Sequence, residues 1–149
     1  MASEDSVTET VSFLLGKLGQ HANTRFADRL APLGLRPRHC AVLELLAGGP
    51  RAQLELARAI GVTASVVVDM LDELERLDAV RRVRDAADRR RQLIELTAAG
   101  RDLRRRTLEL ARQNDDELLG MLGEAEAAAL RRALDRIAGA AGLTFGEAP

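Results

Sequence analysis

Residues 53–70 read QLELARAIGVTASVVVDM, and this stretch decides the fold. Counted from Gln53, the fourth, eighth, tenth, fifteenth and eighteenth positions are Leu56, Ile60, Val62, Val67 and Met70, all apolar. The fifth is Ala57, small enough for two helices to meet over it. The ninth is Gly61, whose missing Cβ permits the left-handed backbone of a tight turn. This spacing predicts a helix-turn-helix: a short helix over 53–60, a turn at Gly61-Val62-Thr63, and a second helix over 64–78 with Thr63 as its N-cap. The first helix carries Leu54, Leu56, Ala57 and Ile60, and Val67, Met70, Leu71, Leu74 and Leu77 point inward from the second. The valine run at 66–68 has poor helix propensity, so tertiary packing must hold it. Alone, the pattern also fits two ordinary helices packed across a glycine turn.

The period then changes. Val80-Arg81-Arg82-Val83-Arg84 and Gln92-Leu93-Ile94-Glu95-Leu96 read as two short strands, joined by a tip of Asp85-Ala86-Ala87-Asp88 and Arg89 to Arg91. A two-stranded ribbon directly after the second helix makes a winged arrangement. Residues 81–91 hold six arginines and two aspartates, a local charge of +4 on a chain whose net charge is −1. Such a concentrated patch suits phosphate, and arginine also enters a narrow minor groove. The alternative, a solvated surface loop, loses weight because the patch sits on a hairpin tip beside a helix-turn-helix.

Outward from this unit the chain is helical. Residues 7–30 form one helix, on which Val7, Val11, Leu14 and Leu18 follow the spacing of a coiled-coil seam. The stripe turns polar at His21 and Arg25. Breakers fill Ala31 to Pro37, a helix starts near Arg38, and Gly48-Gly49-Pro50 ends it. Thr97 caps a long helix to about Met121. A last helix over 124–141 carries Leu130, Leu134 and Ile137 on one face.

Composition bounds the function. With 149 residues, 46% hydrophobic and 30% charged, the chain is long enough for a real core without staples. Its cations are 21 arginines and the single Lys17, and its aromatics are only Phe13, Phe26 and Phe145. So few aromatic platforms argue against base stacking on single-stranded nucleic acid. Cys40 is the one cysteine, which excludes an intramolecular disulfide and a multi-cysteine zinc site. His21 and His39 have no acidic partner set, so no metal is expected. There is no phosphate-cradling loop or other enzyme constellation, and no cofactor is expected. No secretory signal or apolar span of about 20 residues is visible, so the cytoplasm is the expected compartment and no membrane partner is expected.

The sequence Asp88-x-Arg90, five further residues, Leu96-Thr97 and then Gly100, with Asp85 and Arg82 upstream, resembles the signature of the MarR family of bacterial transcription regulators. The resemblance covers nearly the whole chain. It implies a mainly α fold with a small β-hairpin wing, in which a winged helix-turn-helix over about 38–97 is flanked by dimerisation helices over about 7–30 and 100–141. It also implies a homodimer that binds an inverted repeat in double-stranded DNA, typically as a repressor released by a small ligand or an oxidant. Carried over, Arg90 is the wing-tip residue of the minor groove, Asp88 holds the tip arginine by a charge-assisted bond, and the helix from Ala64 reads the major groove.

Two features depart from the family pattern. Where relatives often have Lys-Gly or Asn-Gly after the reading helix, this chain has Asp78-Ala79. The reading helix is also poor in donors: its outward positions are Ala64, Ser65, Val68, Asp69 and Asp72. Ser65 can hydrogen-bond a base or phosphate, Val68 can touch a thymine methyl, and Asp69 can accept from a cytosine amino group but repels phosphate. Arginines and DNA shape are therefore expected to carry more of the binding. Arg82, Arg84, Arg89 and Arg91 are the phosphate candidates of the wing, and Arg38, with Arg36 nearby, those of the second helix's N-terminus.

In this family ligands sit between the dimer helices and the DNA-binding unit, a region that here includes His21, Arg25, His39, Cys40 and Leu43. Polar residues interrupting an apolar seam fit a cleft for an anionic or phenolic effector; they equally fit an interhelix salt bridge. Cys40 is either a core residue or a thiol switch, since a neighbouring His or Arg lowers a thiol's pKa. Outside DNA binding, the competing class is an all-helical dimeric adaptor that binds protein.

Overall fold

The computed structural model describes residues 6–143. In chain order it contains α1 (Val11–Leu30), α2 (Pro37–Ala47), β1 (Arg51–Ala52), α3 (Gln53–Ile60), α4 (Ala64–Arg76), β2 (Val80–Arg84), β3 (Gln92–Leu96), α5 (Ala98–Leu119) and α6 (Glu124–Ala140). The fold is mainly α with a hairpin wing, as the sequence predicts.

The helix-turn-helix forms as the spacing requires. Leu56, Ala57, Val67 and Met70 are buried, and Ile60 and Val62 pack against them. Gly61 adopts φ 78°, and its N–H and that of Val62 both donate to the Ala57 carbonyl at 3.0 Å. This left-handed cap ends α3 and turns the chain into α4. The Thr63 hydroxyl accepts from the Val66 N–H at 3.4 Å and starts α4. The valine run is held as expected, with Val67 fully buried and Val66 packed on the core.

Strands β2 and β3 pair antiparallel from Val80 opposite Leu96 to Arg84 opposite Gln92. A third strand joins them: Arg51 and Ala52 pair with Ile94 and Leu93, giving the order β1-β3-β2. Two residues are too few to show alternation, so β1 leaves no trace in the sequence pattern.

Three expectations need correction. The helix over 7–30 is broken: Val7–Glu9 is a 3₁₀ turn, and Thr10 restarts the chain by accepting the Phe13 N–H on its hydroxyl at 3.3 Å. Helix α4 ends at Arg76 rather than at Asp78. Leu77 therefore lies past the helix and is 38% exposed, lying over Gly34 instead of pointing into the core. On α3, which carries four apolar residues in the sequence reading, Leu54 is exposed.

The buried apolar core lies almost wholly in the middle unit, in α2, α3, α4, β2 and β3, with Leu30 and Leu35 at its edge. Helix α1 packs along α5, where the Asn114 side chain donates to the Ala22 carbonyl at 3.1 Å. Helix α6 buries none of its residues.

One junction holds the unit to α5. The Thr97 hydroxyl donates to the Asp78 carbonyl and accepts from the Gly100 N–H at 2.9 Å, while the Thr97 N–H donates to the Ala79 carbonyl at 3.0 Å. Gly100 is buried against that carbonyl: a Cβ there would stand 1.9 Å from the Ala79 oxygen. Asp78 takes φ 55°, the left-handed conformation that Asp tolerates better than most residues.

Backbone cannot rotate out of the way as a side chain can, so Gly100→Ala must separate α5 from β2. It is expected to cost about 1–3 kcal/mol or more, lowering the thermal midpoint by several degrees. Gly139→Ala, where a Cβ meets nothing within 4 Å, should leave the midpoint nearly unchanged. Melts followed by circular dichroism compare the two.

Candidate nucleic-acid interface

Helix α4 presents Ala64, Ser65 and Asp69 fully to the outside, with Val68 half-exposed among them. Its opposite face, Val67, Met70, Leu71 and Leu74, is buried. Ser65 lies 3.2 Å from the Thr63 hydroxyl, so the helix begins with two linked hydroxyls.

Beside it stands the wing, whose tip is shaped by two aspartates. Asp85 accepts the Ala87 N–H at 2.9 Å, and Asp88 accepts the Arg90 N–H at 3.0 Å. Both are Asx turns, the local bond that lets Asp stand in for backbone. The Asp85 N–H donates to the Arg91 carbonyl at 3.0 Å and closes the loop. The Arg90 guanidinium is 96% exposed and lies 3.8 Å from the Asp88 carboxylate. Asp88 therefore fixes the arginine chiefly through its backbone, rather than through the tight side-chain bond expected from the sequence.

The remaining arginines divide. Arg38, Arg84 and Arg89 are exposed and in no ion pair among the described residues; Arg84 donates weakly to the Arg89 carbonyl at 3.4 Å. Arg91 pairs with Glu55 of α3 at 2.7 Å, both half-exposed. An open pair of this kind is worth at most about 1 kcal/mol and is readily exchanged for phosphate. Arg82 is different. It bridges Asp72 at 3.1 Å and Glu75, both on α4, and is mostly covered. The Glu75 carboxylate, then Asp72, pushes its pKa further up. Arg82 ties the wing to α4 instead of standing free. Arg36 likewise donates to both oxygens of Glu73 at 2.6 and 2.7 Å. The sequence reading missed these α4 carboxylates as partners. Their signal was a helix with four acids and one arginine facing an arginine-rich strand.

The residues placed in a ligand cleft are not gathered into one cavity by this chain. His39 is buried between α2 and α4. Its Nδ1 accepts the Arg36 N–H at 2.9 Å, and its Nε2 is 2.6 Å from Glu73. With Nδ1 accepting, the proton sits on Nε2 and the ring is neutral. Burial pushes its pKa down despite Glu73, and the Arg36 guanidinium holds Glu73 below the usual carboxylate range. Leu43 is fully buried in the core. Cys40 is half-buried against Thr107 of α5, and burial pushes its thiol up to about 11. Such a thiol is almost wholly protonated at neutral pH, the opposite of a reactive sensor. His21 is exposed on α1. Arg25 and Arg29 both pair with Glu117 of α5, whose carboxyl Arg29 and then Arg25 hold low. Arg25, Asp28 and Arg29 line a shallow open depression.

Comparison with known proteins bears on this surface. The model of the MarR family matches residues 33–91, from the start of the helical unit to the wing tip. The transcriptional regulator HosA of Escherichia coli O157:H7 is 33% identical over 113 residues, 75% of this chain and 82% of its own. The chain belongs to the MarR family. It is a transcriptional regulator rather than an enzyme. The HTH-type transcriptional repressor NicR of Pseudomonas putida is 30% identical over 125 residues, 83% of this chain and 79% of its own. Among solved structures, the repressor CouR bound to a 23-mer DNA duplex superposes with TM-score 0.78 at 31% identity, covering 93% of this chain and 99% of that one. CouR from Rhodococcus jostii RHA1 bound to p-coumaroyl-CoA gives TM-score 0.78 at 27% identity, covering 97% and 100%. No helix among the described residues of this MarR-family chain is long and apolar enough to cross a membrane.

The neutral, buried state of His39 gives a pH dependence of defined sign. Its folded pKa lies below 6.5, so below that pH the unfolded chain binds more protons and stability falls with acidification. The slope is at most about 1.4 kcal/mol per pH unit for this one proton. Glu73, whose pKa is lowered, keeps its contribution throughout this window and loses it only as pH falls further through its own folded pKa. His39→Gln can accept from Arg36 and donate to Glu73 without titrating. Melts at pH 7 and pH 5.5 should show a smaller acid loss in this variant than in the natural protein.

Proposed function

We propose that this regulator acts as a homodimer on an inverted repeat in double-stranded DNA. In this reading 38–97 is the DNA-binding unit, and 7–30 with 100–141 supply the dimer contacts. Helix α4 enters the major groove with Thr63, Ala64, Ser65, Val68 and Asp69, and Arg90 enters the flanking minor groove. Arg38, Arg84, Arg89 and Arg91 meet phosphate, while Arg36 and Arg82 act from behind by holding α4. The observation that carries the reading is the pairing of an open α4 face with a rigid wing tip whose Arg90 is 96% exposed. That CouR, similar along nearly the whole chain, binds a DNA duplex supports it.

Dimerisation has its own support. Val7, Val11, Leu14 and Leu18 on the N-terminal segment are 49–75% exposed, and Leu130, Leu134 and Ile137 on α6 are 38–54% exposed. Apolar faces of this extent are normally covered. Burying both against a second copy forms an interface of the obligate class, roughly 2,000 Å² or more. Light scattering at micromolar concentration should give twice the 16.2 kDa chain mass; a monomer overturns the dimer.

The regulator is read as a repressor released by a small anionic or phenolic effector, taken up near Arg25, His21 and the α1–α5 groove, where two arginines and an open depression lie together. CouR, whose ligand p-coumaroyl-CoA is both phenolic and anionic, supports this class. The raised pKa of Cys40 speaks against oxidant release.

DNA titrations at fixed salt test the interface. Arg90→Ala should weaken operator binding by ~1–3 kcal/mol and flatten the preference for A·T pairs at the flanks, with half-sites about 10 bp apart. Asp88→Ala should lose less, in the same direction. Unchanged affinity and flank preference for Arg90→Ala would falsify the wing's role.

A further inference from the structure

Helix α4 has the wrong sign for DNA. It carries Asp69, Asp72, Glu73 and Glu75 against Arg76 alone, and carboxylates beside phosphate are repelled. The fold pairs three of the four with arginine, two guanidinium charges against three carboxylates. Arg82 of β2 takes Asp72 and Glu75, and Arg36, at the cap of α2, grips both oxygens of Glu73, with His39 as a third donor. Asp69 is left over. It is exposed, one residue after Val68 and four after Ser65, and makes no hydrogen bond or ion pair with any described residue. A helix whose other acids are paired with two arginines and a histidine presents this one unpaired among the described residues, on its outward face.

We propose that Asp69 specifies sequence: its carboxylate accepts from the N4 amino group of a cytosine in each half-site and penalises any other base there. The proposal rests on α4 being the major-groove reader. In that groove cytosine offers a donor, whereas guanine and thymine turn acceptor oxygens toward a carboxylate, and adenine sets its amino donor beside the N7 acceptor. A charge that cytosine satisfies, that guanine and thymine leave facing acceptors, and that adenine meets with one donor beside one acceptor, discriminates mainly through the penalty. This also gives a donor-poor helix a way to read sequence without contributing to non-specific attraction. Arg36 and Arg82 then have a defined part, as residues that position α4 and pair its remaining acids, leaving Asp69 as the acid of α4 without a partner among the described residues.

Selection from a randomised duplex library at one fixed salt concentration tests this, using the full-length protein and its Asp69→Ala and Asp69→Asn variants. The natural protein should select a symmetric motif with cytosine at one fixed position in each half. Asp69→Ala should select the same motif with that position degenerate, a loss of roughly 5- to 150-fold in discrimination there. Asp69→Asn should shift the preference to adenine, which asparagine pairs through N6 and N7. Asp69→Ala should also bind random DNA several-fold more tightly at low salt. Asp115→Asn, the same change of charge on exposed α5, should not. An Asp69→Ala motif identical to the natural one overturns the proposal and leaves the DNA-binding function standing. A natural protein that selects no motif at all overturns both.

Discussion

The structure turns on the contact between Thr97-Ala98-Ala99-Gly100 and the Asp78-Ala79 backbone. Two consecutive carbonyls at the end of the α4 turn are taken by one residue: Thr97 donates its hydroxyl to Asp78 and its N–H to Ala79. The same hydroxyl accepts from Gly100 and starts α5. Four elements meet here, the exit of α4, the start of β2, the end of β3 and the first turn of α5. No side chain at position 100 is compatible with that approach. The angle of the reading helix, the root of the wing and the direction of the long helix are thereby set together.

Charge is organised in a second layer over this frame. The chain's cations are almost all arginines, and arginine can bridge two carboxylates with a fixed fork in a way lysine cannot. Arg82 does so for Asp72 and Glu75, and Arg36 grips both oxygens of Glu73, while Arg90, Arg89 and Arg38 are left toward the outside. The basic character of the wing is therefore smaller at its surface than its composition implies, and more concentrated at the tip. Two Asx turns hold that tip without any apolar core of its own.

The apolar ledger of the chain is divided in the same manner. Buried apolar side chains belong to the middle unit, and the ends carry helices whose apolar faces stay open. Helix α5 is the link, buried only at Gly100, Thr107 and Asn114 along its length. The buried Asn114 Oδ1 finds no hydrogen-bond donor among the described residues, a polar gap at the α1–α5 seam.

The sequence by itself determined the helix-turn-helix, because Leu56, Ala57, Gly61, Val67 and Met70 encode their packing within eighteen residues. It determined the wing strands to the residue, because alternation and turn chemistry are local. It also determined the family, through spaced polar residues from Asp88 to Gly100. It did not determine β1, which is defined only by the strand it pairs with, or the end of α4, where Asp78 takes the left-handed turn that a glycine would have announced. Nor did it decide which arginines are free. Arg36, Arg82 and Arg91 look alike in sequence to Arg38, Arg84 and Arg89. Only the fold brings Glu73, Asp72, Glu75 and Glu55 across from other elements to engage the first three. His39 and Cys40 are neighbours in sequence, but the helix turns them about 100° apart, toward α4 and α5. Local periodicity fixes what each segment becomes; pairing between distant charges is a property of three-dimensional proximity, and tertiary structure alone assigns it.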